Sequence, residues 1–265
     1  MRNKDIKVML TEKLSDFLSI WPDSKDREMF FQNCIVCGGA ISSLILDEPL
    51  NDIDIYLRTS KALDTYRSSI DTLLSDMMSE RRGYDLAFRT PSADTFTHII
   101  DGTMPKFQII KMMTGEPEDI VQRFDFLHTM VYFDLANDRL SIPNGPKSCI
   151  LEKRLYYTQT NYPLSSLFRS RKYIRRGWKM PMTEYIKIAL DINKFDLLDP
   201  TVLISQLQGV DEIHAKQIVQ RIREDEVRSS EDPMFKPRVN LTTLCPTPDL
   251  ESTLPGELRD DPMYA

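Results

Sequence analysis

Two aspartates, Asp52 and Asp54, stand one residue apart in a segment that alternates polar and apolar residues. The alternation predicts a half-buried strand over 52–58, and residues two apart on a strand point to the same face. Carboxylates held so close repel each other unless a divalent cation lies between them. The pair is therefore a candidate metal site, and the alternative is a solvent-facing edge strand.

Upstream of this pair, an apolar run over 33–37 ends in two glycines, Gly38 and Gly39, and a helix-compatible segment follows over 39–47. Glycines let a phosphate approach the backbone, and a helix that begins there aims its N–H groups at the phosphate. A plain strand-to-helix turn that needs a positive φ would also use glycine. A metal-binding carboxylate pair beside a phosphate cradle is what phosphoryl or nucleotidyl transfer needs.

The order and spacing of these pieces, Gly38-Gly39 and then Asp52-Ile53-Asp54, resemble the signature of the polymerase-beta-like nucleotidyltransferases. A further stretch, Phe107-Gln-Ile-Ile110 followed by a short helix and Phe124-Asp-Phe126, resembles minimal members of that superfamily in phages and large viruses. The resemblance implies Mg²⁺-dependent transfer of a nucleoside monophosphate from an NTP such as ATP to a hydroxyl. It leaves the acceptor open between RNA (tRNA included), a protein side chain and a small nucleotide.

The resemblance also implies a third carboxylate, downstream of the pair. By strand order, Gln108 occupies the most natural place, but an amide cannot supply the charge. Asp125, between two aromatic residues at the start of a strand predicted over 125–134, is the first choice, and Asp101 is another. The catalytic and metal-binding set implied by the resemblance is Asp52, Asp54 and Asp125.

Phosphate binding in this superfamily often uses a serine directly after the first glycine, where this chain has Gly39 and then Ala40. Ser42 and Ser43 are the available substitutes on the first turns of the helix. The nucleotide-binding set implied by the resemblance is Gly38, Gly39, Ser42 and Ser43. If the metal site is incomplete, the chain could instead be a non-catalytic binder of nucleotides or nucleic acid, or a scaffold for other proteins.

A basic cluster lies between residues 169 and 179, where six cations occur without an acid; they are Arg169, Arg171, Lys172, Arg175, Arg176 and Lys179. On a helix, positions 168, 172, 175, 176 and 179 would share one face. Such a cluster indicates contact with phosphates or a nucleic-acid backbone. The alternative is a solvated face that pairs with acids elsewhere, such as the acidic tail.

The composition is that of an ordinary globular protein, with 41% apolar and 28% charged residues and no apolar run long enough to span a membrane. The net charge of −6 resides entirely in residues 224–265, which hold ten acidic and four basic groups. Cys34 and Cys37 fall within a predicted buried strand, where cysteine behaves as a small apolar group. The cysteines indicate a reducing compartment, the host cytoplasm if the protein is viral.

Strand and helix patterns mix without regular βαβ alternation, which predicts an α+β fold. We expect a nucleotidyltransferase-like mixed sheet with flanking helices over 1–145, an all-helical domain over 146–226, and an acidic, proline-rich tail over 227–265. The predicted strands are 33–37, 52–58, 84–89, 95–101, 106–112 and 125–134. The predicted helices are 5–21, 39–47, 61–80, 116–124, 147–160, 162–176, 181–195, 200–208 and 211–226.

Overall fold

The computed structural model describes residues 1–21, 24–80, 83–99, 104–197 and 199–207. The chain divides into two compact units: unit 1 comprises Met1–Thr160 and Ile174–Glu184, and unit 2 comprises Asn161–Tyr173 and Tyr185–Ala265. Within the described ranges, no helix is both long enough and apolar enough to cross a membrane. The predicted helix over 211–226, the predicted tail and Asp101 lie outside the described residues. The predicted domain boundaries stay a prediction.

Unit 1 is built on a mixed sheet of seven described strands. They are β1 (Cys34–Cys37), β2 (Asp52–Leu57), β3 (Tyr84–Arg89), β4 (Ala93–His98), β5 (Lys106–Thr114), β6 (Tyr132–Asp134) and β7 (Arg139–Ser141). Their order across the sheet is β3-β4-β5-β2-β1-β6-β7. Strands β2 and β5 run parallel, and the other neighbours run antiparallel. Because β2 lies in the middle of the sheet, its ladder is paired on both sides.

The helices precede, interrupt and follow these strands. They are α1 (Asn3–Leu18), α2 (Ser24–Asn33), α3 (Gly39–Ile45), α4 (Ser60–Glu80), α5 (Pro117–Val121), α6 (Asn144–Leu151), α7 (Pro163–Arg175), α8 (Met182–Ile192) and α9 (Pro200–Gln206). Asp199 caps the N-terminus of α9, with its carboxylate accepting a hydrogen bond from the N–H of Thr201. The predicted α+β class is confirmed: a mixed sheet with flanking helices, followed by further helices.

An aromatic cluster fills one face of the sheet. Phe17 of α1 is fully buried and stacks on Phe107 of β5, with ring centroids 4.4 Å apart. Trp21, Tyr84 and Phe96 contact the Phe17 ring edge to face. Stacked and edge-to-face geometries are the favoured ones for aromatic pairs, and this packing fixes α1 on β5.

A buried carboxylate ties α4 to the same face of the sheet. Asp94 of β4 is fully buried; its carboxylate accepts hydrogen bonds from the Tyr66 hydroxyl at 2.6 Å and the Lys111 ammonium at 2.6 Å. Burial, followed by the hydrogen bond to Asp94 and then its charge, raises the pKa of the Tyr66 hydroxyl, so this group stays a donor. The charge is therefore paired inside the protein.

Segment 174–184 belongs to unit 1 although the helical residues on both sides of it belong to unit 2. The N–H of Lys179 donates to the carbonyl of Lys153 at 2.7 Å. Buried Glu184 accepts a hydrogen bond from the N–H of Tyr157 at 2.8 Å. These contacts fix the segment on unit 1 by backbone groups as well as side chains.

Two sequence-based elements are wrong in extent. The predicted strand over 125–134 is a loop and a 3₁₀ turn, Leu127–Thr129, before the short β6, because Phe126 pairs with Tyr157 instead of continuing the sheet. The predicted helix over 147–160 stops at Leu151, and Lys153 follows with a φ of 48°. Helix α2 and strand β7 were not predicted at all.

Candidate nucleotide and metal site

The two aspartates of the predicted metal site lie on β2, a central strand. Asp52 and Asp54 are half-buried, and Ile53 and Ile55 between and beyond them are buried. Ile53 is the register partner of Phe107, so it faces the aromatic cluster, and the two carboxylates face the opposite side of the sheet. The alternative of a solvent-facing edge strand is therefore wrong.

Strand β5, which runs parallel to β2, determines which side chains lie beside the carboxylates of Asp52 and Asp54. Its register places Lys106 next to Asp52 and Gln108 next to Asp54, and partners in register share a face. The Gln108 amide nitrogen donates a hydrogen bond to the Thr95 hydroxyl at 3.3 Å. The place that strand order predicts for a third acid is thus held by a neutral amide that is bonded to β4.

On the other side, β1 pairs with β2 as far as Val36, the register partner of Ile55, and Cys37 follows it, near enough for the Asp54 charge to act on its thiol. Burial, with a smaller contribution from the Asp54 charge, raises the pKa of the Cys37 thiol well above its ordinary value. Burial also raises the pKa of Cys34 to about 12. Both thiols are free and buried, which confirms that they act as small apolar groups of the strand.

The turn between β1 and α3 depends on one glycine. Gly38 has a φ of 83° and a ψ of −133°, a conformation that side-chain-bearing residues rarely adopt, and its N–H donates to the carbonyl of Val131 at 3.1 Å. A Cβ there would lie 3.6 Å from the Phe124 ring, so conformation rather than space selects glycine. The simple turn explains Gly38, and contact of Gly38 and Gly39 with a nucleotide stays a prediction.

The two serines of the predicted nucleotide-binding set are buried and bonded to protein. Ser42 donates a hydrogen bond from its hydroxyl to the carbonyl of His128 at 2.9 Å. The Ser43 hydroxyl lies 3.0 Å from a guanidinium nitrogen of Arg176, which donates to it. These bonds fix α3 against the 3₁₀ turn and segment 174–184, and direct contact of the serines with a nucleotide stays a prediction.

His128 lies in the protein core. It is fully buried, and its ring centroid lies 4.3 Å from that of Trp178. Burial, with a smaller contribution from the Arg176 charge, lowers the pKa of His128 to about 3. The imidazole is therefore uncharged at neutral pH.

The predicted basic cluster does not form one helical face. Helix α7 ends at Arg175, so Arg176 and Lys179 lie beyond it. Arg169, Arg171 and Lys172 fall in unit 2, whereas the later cations fall in unit 1. Arg171, Lys172 and Arg175 are exposed, and Arg169 is half-buried. Phosphate or nucleic-acid contact by these residues stays a prediction.

Arg176 takes part in an ion-pair network that the sequence did not indicate. Its guanidinium lies 2.6 Å from the Glu48 carboxylate, which also pairs with Lys153 at 2.6 Å. Burial alone would raise the pKa of Glu48, but hydrogen bonds from Lys153 and Arg176 outweigh it and lower that pKa. The three residues are far apart in sequence and have no common motif, so only the fold could bring them together.

We expect Glu48→Gln to reduce the free energy of unfolding at neutral pH by about 1.5–3 kcal/mol, the usual range for hydrogen bonds to a charged group. The folded-state pKa of Glu48 is lowered, so its contribution is present above the unfolded pKa and is lost as the pH falls through the folded pKa. Urea unfolding at neutral and acidic pH measures this difference, which should shrink in acid. Glu12→Gln, at an exposed position of α1, is the matched control, and equal effects of the two changes would contradict the network.

The predicted ligand set for a metal is present only in part. Among residues 1–21, 24–80, 83–99, 104–197 and 199–207, no three His, Cys, Asp or Glu side chains are grouped to hold a metal ion. Asp125 is buried in the loop before the 3₁₀ turn, and its carbonyl accepts a hydrogen bond from Thr158. It is not brought into one ligand group with Asp52 and Asp54, and its role as third ligand stays a prediction.

The chemistry of the remaining donors does fit Mg²⁺. That ion is commonly held by one or two carboxylates together with substrate phosphates rather than by an all-protein cage. Asp52 and Asp54 supply two carboxylates on one face of a strand that is paired on both sides. Such a strand fixes the spacing of the ligands, as a metal site requires.

Comparison with solved structures gives weak similarity to tRNA-processing enzymes. The Thermotoga maritima CCA-adding enzyme in complex with tRNA has a TM-score of 0.41 and 16% identity, over 83% of this chain and 55% of that one. The Bacillus stearothermophilus CCA-adding enzyme in complex with CTP has a TM-score of 0.38 and 14% identity, over 64% and 41%. At these scores nothing about the activity of this chain follows.

Comparison with known sequences gives a family. A curated relative, "Gabija anti-defense 2" of Bacillus phage SPbetaL7, is 26% identical over 157 residues, which are 59% of this chain and 36% of the relative. The chain thus spans about a third of the length of that protein. The family model described as Gabija anti-defense 2 family protein matches residues 9–159, more than half of the 265 residues. The chain belongs to the Gabija anti-defense 2 family.

Proposed function

We propose that this chain acts against the Gabija defence, and that it does so as a Mg²⁺-dependent nucleotidyltransferase. The first part is supported by family membership, and we propose the cytoplasm of a phage-infected cell as the place of this activity. The second part is supported by the resemblance of Gly38-Gly39 and Asp52-Ile53-Asp54 to the nucleotidyltransferase signature. The observation that carries it is the position of both carboxylates on the same face of central strand β2.

In this proposal Asp52 and Asp54 hold the Mg²⁺–NTP complex at the middle of the sheet. When bound, Mg²⁺ supplies charge neutralisation at the phosphates during an in-line displacement. The first backbone N–H groups of α3, which follow the turn at Gly38, would contact the phosphates, and Ser42 and Ser43 set the orientation of that helix through their hydrogen bonds to His128 and Arg176. The acceptor is a hydroxyl of an RNA, a protein or a small nucleotide.

The exposed cations of α7 suit an anionic partner of unit 2. Arg171 and Lys172 are exposed, and the guanidinium and ammonium groups of such residues contact phosphate oxygens readily. We propose that they bind a nucleic-acid backbone, with Arg169 supporting them on the same helix. Binding of this kind weakens steeply with salt concentration, which separates it from recognition by shape alone.

A second candidate is a non-catalytic nucleotide binder with an incomplete metal site. It is favoured by Gln108, a neutral amide beside Asp54, and by the lack of a three-ligand group among the described side chains. A binder of this kind could sequester a nucleotide on which a defence depends. It would need the same Asp pair for Mg²⁺–nucleotide binding but would form no product.

An assay with labelled nucleotides distinguishes the two candidates. The full chain is incubated with each NTP, labelled in the α-phosphate, and Mg²⁺, with and without total RNA and cell protein. A transferase moves label to an acceptor and releases pyrophosphate, and Asp52→Asn abolishes both. Saturable nucleotide binding without transfer identifies the non-catalytic binder. If the chain neither transfers label nor binds nucleotide, both candidates are refuted. Phage plating on bacteria with the Gabija defence, with wild-type or Asp52→Asn chain supplied, tests the anti-defence role separately.

A further inference from the structure

The carboxylate pair has neutral or positive neighbours on both flanks. On β1, Val36 pairs with Ile55 and is followed by Cys37, whose thiol is fully buried. Gln108 lies beside Asp54 on β5, and Lys106, an exposed cation, lies beside Asp52. The two strands that border β2 therefore add no negative charge to this part of the sheet.

The absence of negative charge on the two bordering strands, β1 and β5, limits how many cations the aspartate pair can hold. In two-metal sites the ions lie only about 3.5–4 Å apart, and the repulsion between two doubly charged ions at that distance must be offset by carboxylates that bridge or flank them. Two carboxylates match the charge of one divalent cation. A second ion would need a further acid, and the described side chains supply none in the same group.

We infer that Gln108 limits the Asp52/Asp54 site to one divalent cation. The inference rests on the proposed function, since it takes the aspartate pair as the metal site. It goes further by naming the residue that sets the number of ions. Position 108 is the one register partner of Asp54 on β5, so a carboxylate there would share the face of the pair.

The hydrogen bond of Gln108 makes this position suitable for a gain-of-charge test. Its amide nitrogen donates to the Thr95 hydroxyl, and a hydroxyl can serve as donor or acceptor. With glutamate at 108, the Thr95 hydroxyl can rotate and donate to the carboxylate instead. The side chain keeps its length and its partner on β4, and only the charge changes.

Binding of Mn²⁺ alone, followed by the electron paramagnetic resonance signal of the free ion, tests the inference on the full chain. We expect the wild type to bind one Mn²⁺ and Gln108→Glu to bind two. Gln108→Ala, which removes the amide without adding charge, should still bind one. Gln108→Asp is the second gain-of-charge variant if circular dichroism finds that Gln108→Glu does not fold.

Each outcome decides between the inference and the function on which it rests. If Asp54→Asn binds Mn²⁺ as tightly as the wild type, or if the wild type binds none, the aspartate pair is not the metal site and both fail. If the wild type already binds two ions that Asp54→Asn releases, the metal site stands and only the role of Gln108 is refuted. Folded gain-of-charge variants that still bind a single ion also refute it.

Discussion

Asp54→Asn is expected to reduce nucleotidyl transfer by at least ~100-fold, because even residues that only support a metal ligand change activity by 10–100-fold. The asparagine keeps the shape of the side chain and loses the charge that holds the cation. It also removes a repulsion between two carboxylates on one strand face, and its effect on the melting temperature shows whether Asp54 also contributes to stability. Initial rates with labelled NTP and thermal unfolding of the same sample measure both effects.

Asp64→Asn is the matched control, since Asp64 is exposed on α4 and forms a surface ion pair with Arg67. It should leave the transfer rate unchanged. Loss of activity accompanied by a lower melting temperature would indicate that Asp54 has a structural role. Full activity in a folded Asp54→Asn protein would exclude the aspartate pair from catalysis.

Asp94→Ala is expected to reduce the free energy of unfolding by about 3–5 kcal/mol, the range for breaking a buried ion pair by removing one partner. The change leaves the Lys111 ammonium, which is largely buried, without its carboxylate, and leaves the Tyr66 hydroxyl without its acceptor. Urea unfolding followed by circular dichroism measures the loss. This effect acts on stability and is independent of any catalytic role.

A double-mutant cycle measures how much of this loss of unfolding free energy comes from the interaction between Asp94 and Lys111. Lys111→Met removes the charge and keeps most of the apolar side chain, so Asp94→Ala combined with Lys111→Met should cost less than the sum of the two single changes. Asp71→Ala serves as a control, because Asp71 is an exposed partner of Arg89 and should change stability by less than ~1 kcal/mol. Additive effects of Asp94 and Lys111 would contradict the coupling.

Local patterns in the sequence predicted the parts of the site that local chemistry controls. Alternation of polar and apolar residues identified β2 and the shared face of Asp52 and Asp54, since the period of a strand needs no tertiary information. Gly38, which directly precedes α3, was found because a positive φ restricts the residue type. Burial of Cys34 and Cys37 followed from their place in an apolar run.

Long-range pairing accounts for what the sequence did not predict. The apolar stretch 125–134 satisfies the pattern of a strand, but part of it is buried by a loop that pairs with Tyr157, and periodicity cannot distinguish the two. Glu48 meets Arg176 across 128 positions of the chain, and neither residue has a local signature for this contact. The register that puts Gln108 beside Asp54 depends on a parallel pairing that strand order suggested but could not fix.

Segment 174–184 belongs to unit 1, and this determines where the chain can be truncated. The family match ends at 159, and a fragment cut after Thr160 keeps every described strand of the sheet. Such a fragment would lack Arg176 and Glu184, leaving Glu48 with one of its two cations and the N–H of Tyr157 without its carboxylate. Any shortened form that keeps unit 1 whole must therefore extend through Glu184, and it carries α7 with it.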